Sequence, residues 1–122
     1  MENKKLPHDH HCGMEQSFDH MPDPDAFAAA AELFKLLSDR TRLRLFWLLC
    51  HCEACVANLS AMVDMSSPAV SHHLKQLKAA GLIVSRREGK EVHYQAADTP
   101  TARALHHMME TLMAISCPAE EI

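Results

Sequence analysis

No run of apolar residues in this chain approaches the roughly 20 that a helix needs to cross a bilayer. The N-terminus also lacks the apolar centre of a secretory leader. The expectation is a cytoplasmic protein with no membrane partner. With three glycines there is no Gly-rich loop to cradle phosphate, and no organic cofactor is expected. No Ser/His/Asp arrangement is evident, which weakens an enzymatic reading. No internal repeat is present. At 122 residues the chain suits one domain and leaves no room for a catalytic domain beside a regulatory one.

What is present is unevenly distributed. Hydrophobic residues make up 48% and charged residues 23%, enough to fold most of the chain around a core. The net charge of −4 is an average over unlike segments. Residues 1–40 carry 4 Lys/Arg against 8 Asp/Glu, residues 41–95 carry 7 against 4, and residues 96–122 carry 1 against 4. Basic charge is therefore concentrated in the middle, and a local basic face governs phosphate contact more than total charge does. Five cysteines is an odd number, and three fall within six positions. In a reducing compartment that pattern points to metal ligands or reactive thiols rather than a disulfide framework.

Residues 1–22 are polar, His-rich and aperiodic and read as a flexible tail. Residues 23–117 read as the folded domain and 118–122 as a C-terminal tail. A helix is expected from Pro24 to Leu37, with Phe27, Ala30, Ala31, Phe34 and Leu37 at helical spacing. Ser38 or Asp39 caps a second helix that is apolar on most sides. A short third helix is expected from about Cys55 to Val63 and a turn at Asp64 to Ser67. Ser67 and Pro68 open a fourth helix that ends near Ala80, with Gly81 as terminator. Leu82–Arg87 and Glu91–Ala96 read as strands joined at Glu88-Gly89-Lys90, and Thr99 and Pro100 open a last helix reaching about Ser116. The fold class is mainly α with a β-hairpin wing (α+β), a winged helix–turn–helix, rather than an all-α bundle.

In the fourth helix Val70, Leu74 and Leu77 fall at i, i+4 and i+7 and should face the core. Ala69, Ser71, His72, Lys75 and Gln76 then face outward. These small or hydrogen-bonding groups suit a helix that enters the major groove. Ser66 and Ser67 stand at the helix start, where hydroxyls and free N–H groups can hold a phosphate. Arg86, Arg87 and Lys90 lie on the hairpin, where backbone or minor-groove contact is expected. The bland reading of any one of these residues is a solvated basic face; the whole set points to double-stranded DNA.

Leu36-Leu37-Ser38-Asp39-Arg40-Thr41-Arg42-Leu43-Arg44-Leu45, then Ser67 through Leu77, then Gly81-Leu82-Ile83 and Arg87 through Tyr94, resemble the ArsR/SmtB family of metalloregulatory repressors over about residues 25–115. The resemblance implies a homodimer formed through the first and last helices of the domain, a palindromic operator, and an inducer that lowers operator affinity.

Cys50, Cys52 and Cys55 stand at C-x-C-x2-C spacing, and thiolates select soft ions of the Cd(II), Pb(II), Zn(II) and As(III) class. The resemblance also carries a difference. In Glu53-Ala54-Cys55-Val56-Ala57-Asn58-Leu59 only Cys55 matches the family's thiol motif, and Ala57 stands where a second cysteine is found. The resemblance further offers Cys12 as a thiol completing the site across the dimer. On the last helix, Pro100 and Thr111 occupy positions where the resemblance leads one to expect ligands, but His106 and His107, four and three residues before Glu110, keep chelating spacing with it as a weaker second site. The resemblance also offers an alternative, Cys50 and Cys117 as a redox or persulfide-sensing pair. A metal storage or chaperone protein is a further alternative, which leaves the basic helix and wing without a role.

Overall fold

The computed structural model describes residues 6–8 and 13–114. The chain divides into two compact units, Met1–Glu32 and Leu33–Ile122. In the first unit α1 spans Met14–Asp19, and α2, Pro24–Leu37, begins. The expected aperiodic stretch to residue 22 thus contains a six-residue helix. Met14 and Phe18 stand at i, i+4 on it, but it buries no residue and its N-cap Gly13 offers no side-chain bond.

The second unit holds the core. Asp39 is extended and its carboxylate accepts from the Arg42 backbone N–H at 3.0 Å, which starts α3, Arg40–His51. The two-residue strand β1, Ala54–Cys55, leads into α4, Val56–Val63, which stops where Asp64 adopts a left-handed φ of 55°. Ser66, not Ser67, caps α5, Ser67–Ala79, with Pro68 in its first turn. Gly81 ends α5 at a φ of 78°, and the Leu82 N–H reaches back to the Leu77 carbonyl at 3.1 Å. This close turns the chain into β2, Ile83–Glu88, and β3, Glu91–Ala96. The hairpin closes through Gly89 and Lys90, with Gly89 at a φ of 62°, as a two-residue loop with glycine in its first position requires. Thr99 caps α6, Pro100–Met113, through the Ala102 N–H.

The sheet order is β1-β3-β2, all antiparallel. Val70, Leu74 and Leu77 of α5 are fully buried with Leu45 and Phe46 of α3, Leu59 of α4, and Leu82, Ile83, Ala102 and Met109 around them. The fold is a winged helix in which α4, α5 and the β2–β3 hairpin follow one another as expected.

Candidate nucleic-acid interface and metal-ligating clusters

Burying Val70, Leu74 and Leu77 fixes the rotation of α5, and Ser71, His72 and Lys75 are left exposed on its other side. Ala69 and Gln76 are half-buried at the margin. Gln76 is not free: its Oε1 accepts from Arg42 Nη1 at 2.7 Å. The same guanidinium donates through Nε to the Leu36 carbonyl at 2.7 Å and stands 3.5 Å from His73 Nδ1. Arg42 therefore ties the end of α2, the start of α3 and the middle of α5 together. Accepting the Arg42 backbone N–H holds the Asp39 carboxyl below its ordinary value of 3.8.

At the start of α5 the Ser66 hydroxyl is used as a cap, accepting from the Ala69 N–H at 3.3 Å. The Ser67 hydroxyl lies 3.2 Å from that of Ser60, which is buried. Lys78, which sequence reasoning passed over, donates to the Ser85 hydroxyl at 2.7 Å and joins α5 to the wing.

The three wing cations differ. Arg86 is committed to carboxylates: its Nε donates to Glu53 at 3.0 Å, its Nη2 also meets Glu53, and its Nη1 is 3.0 Å from Glu88. The Arg86 hydrogen bonds hold the Glu53 carboxyl below its ordinary value of 4.5. His93 completes this root of the wing, with Nε2 at 3.1 Å from Glu91 and Nδ1 at 3.7 Å from Glu53. Arg87 and Lys90 are exposed and, among the described residues, face no carboxylate.

The expected thiol set is not assembled. Cys50 is half-buried in the last turn of α3. Cys52 is the exposed C-cap, extended at φ −150°, with its thiol 3.2 Å from the Leu48 carbonyl. Cys55 is half-buried, caps α4 and lies opposite His93 in the sheet. The chain leaves the helix between the first and second thiols and enters a strand before the third, and the three sulfurs are not among the converging groups of ligand atoms in the described residues. Cys12 and Cys117 lie outside the described residues.

Among the described residues the one group of three His, Cys, Asp or Glu side chains whose ligand atoms lie within 4.8 Å of one another is His51, His106 and Glu110. His106 Nε2 is 3.1 Å from His51 Nε2 and 2.7 Å from Glu110 Oε1. All three are half-buried, whereas His107 is exposed and outside the group. His51 thus stands where the last-helix spacing suggested His107. Its pairing with a residue 55 positions away left no signal in local sequence. Nearby, Cys50, Ala97, Asp98 and His106 help line a cavity of about 190 Å³.

Residues 39–85 match the family described as "Bacterial regulatory protein, arsR family". The chain is 42% identical over 71 residues to the arsenical resistance operon repressor of Escherichia coli (strain K12), covering 57% of this chain and 61% of that one. It is 34% identical over 97 residues to the HTH-type transcriptional regulator CmtR of Mycobacterium bovis (strain ATCC BAA-935 / AF2122/97), covering 76% and 82%. The matched stretch spans about half to three fifths of the length of several curated relatives. Among solved structures, the homodimeric winged helix-turn-helix DNA-binding domain of Mb0332 from Mycobacterium bovis superposes with a TM-score of 0.65 at 26% identity, over 77% of this chain and 88% of that one. From capped α3 through the buried face of α5 to the hairpin, fold and sequence agree, and the chain belongs to the arsR family of bacterial regulatory proteins.

Proposed function

We propose that this protein is a cytoplasmic, homodimeric transcriptional repressor that binds a palindromic DNA operator through α5 and the wing, and releases it when a soft metal or metalloid binds. The carrying observation is the division of α5: one face fully buried, the other presenting Ser71, His72 and Lys75, with unpaired Arg87 and Lys90 on the hairpin that follows. Short polar side chains on a rigid helix suit base edges, and the wing cations suit phosphates. Ser66, Ser67, Ala69 and Gln76 frame that surface, with Gln76 oriented by Arg42.

Dimerisation through α2 and α6 is supported by the large apolar side chains these helices leave exposed: Phe27 and Phe34 on α2, Leu112 and Met113 on α6. The printed description of the Mb0332 domain as homodimeric supports the same reading. For the inducer, Cys50 in the last turn of α3 and Cys52 and Cys55 in the α3–α4 connector supply three thiols, and the names of the relatives include an arsenical repressor. Closing these thiols around an ion of the Cd, Pb, Zn or As(III) class requires the connector to rearrange.

Fluorescence anisotropy with a palindromic duplex tests the reading. Binding should weaken steeply with salt, and salt-insensitive binding or none refutes the repressor. Adding Cd(II), Pb(II), Zn(II) or As(III) should release the duplex. Changing Cys50, Cys52 and Cys55 to Ser should abolish that release and leave DNA binding intact. An unaltered response in this variant removes the thiol assignment.

A further inference from the structure

We propose that His51, His106 and Glu110 form a second cation site, selective for borderline divalent ions of the zinc class, joining the end of α3 to α6. Its donor set includes none of the three thiols, although Cys50 lines the same cavity as His106.

The geometry supplies three converging ligand atoms. His106 and Glu110 lie at i, i+4 on α6, the helical spacing that puts two side chains on one face. His51 comes from the last turn of α3 and meets them from the other side. The two imidazole rings stand edge to face, 81° apart with centroids 4.8 Å apart, so both Nε2 atoms point into the same space. The Trp47 ring packs 4.3 Å from that of His51, which restricts its orientation. The ligand atoms are 3.1 and 2.7 Å apart along two edges. Tetrahedral zinc, with bonds near 2.0–2.1 Å, places its ligands about 3.3 Å apart, so the two edges must open by about 0.2 and about 0.6 Å to admit the ion.

His106 Nε2 lies within hydrogen-bonding distance of both the other imidazole nitrogen and a carboxylate oxygen. A cation at the centre takes a lone pair from all three. Two imidazoles and a carboxylate, with no thiolate, suit Zn(II), Co(II) or Ni(II) rather than As(III). A three-residue donor set also leaves a coordination position for water or an added ligand.

Cobalt(II) titration of the reduced full-length protein, followed by displacement with Zn(II), is the test. The Cys50→Ser/Cys52→Ser/Cys55→Ser variant should bind one equivalent of Co(II) per chain, with d–d absorption and no sulfur-to-cobalt charge-transfer band. On that background, Glu110→Gln and His106→Asn should each weaken binding by at least about tenfold, and His107→Ala should change nothing. If the triple variant fails to fold, the same titration on the wild-type chain separates the two sites: Glu110→Gln must remove the nitrogen–oxygen bands and leave the thiolate band. Absence of Co(II) binding in a folded triple variant, indifference to Glu110→Gln and His106→Asn, or an equal loss in His107→Ala would each overturn the assignment.

Discussion

Arg42 makes the most testable structural claim in this fold. Its guanidinium donates one 2.7 Å bond to the Leu36 carbonyl and another to Gln76 Oε1. Hydrogen bonds to charged groups contribute about 1.5–3 kcal/mol each, and water can reach these half-buried atoms, so the lower figure applies. Arg42→Ala should cost about 3 kcal/mol and Gln76→Ala about 1.5 kcal/mol. The double variant loses the shared bond only once, so the two effects should fall short of additivity by about 1.5 kcal/mol. Arg42→Lys offers a single point donor and should recover about half of the loss. Urea unfolding at fixed protein concentration in metal-free buffer reads all four values. Additive single effects would refute the coupling. A larger failure would be Arg42→Ala that weakens operator binding at unchanged stability, because Arg42 would then be a phosphate contact and not a brace.

The wing cations should separate by their partners. Arg87→Ala and Lys90→Ala should each weaken operator binding and reduce the slope of log affinity against log salt by about one. Arg86→Ala should leave that slope unchanged, because its charge already faces Glu53 and Glu88. An equal loss for Arg86 would show that these pairs open on DNA. At the N-cap of α3, Asp39→Ala should lower stability by about 1 kcal/mol at neutral pH. The folded-state value of Asp39 lies below 3.8, so its contribution is complete above 3.8 and is lost as pH falls through the lower folded value. Urea midpoints of wild type and variant should therefore converge in acid, and a gap that persists there would rule out the carboxylate as the stabilising group.

Sequence pattern located most of the fold because its punctuation is local. Pro24, Asp39, Pro68, Gly81, Gly89 and Thr99 each act within a few residues, and each stands at an element boundary, although the cap of α5 is Ser66, one residue before the expected Ser67. The rotation of α5 was legible for the same reason, since Val70, Leu74 and Leu77 repeat at helical spacing and are all buried. Two short elements were not. β1 has two residues, too few for any period, and exists because β3 offers it a partner. α1 has neither a side-chain cap nor a buried face to announce it. The chemical groups were harder. Proximity in sequence suggested one set of Cys50, Cys52 and Cys55, but a helix end and a strand intervene. His51 joins His106 only through tertiary packing. Arg86 and Arg87 are equivalent in sequence and differ only through the Glu53 carboxylate that the fold sets beside Arg86.

The pairing of Ala54 with Tyr94 and of Cys55 with His93 has a mechanical consequence. It makes the thiol-bearing connector a latch on the outer edge of β3, the central strand of the wing. A two-residue ladder sits near the bottom of the local-opening scale, so it can release while the α3–α5 core stays closed. Cys52 precedes this latch, Cys55 is half of it, and Glu53 carries the salt bridge to Arg86 across it. Any force that draws the connector thiols together acts first on the backbone that steadies the hairpin, so the wing is the part of the proposed DNA surface most directly exposed to chemistry at sulfur.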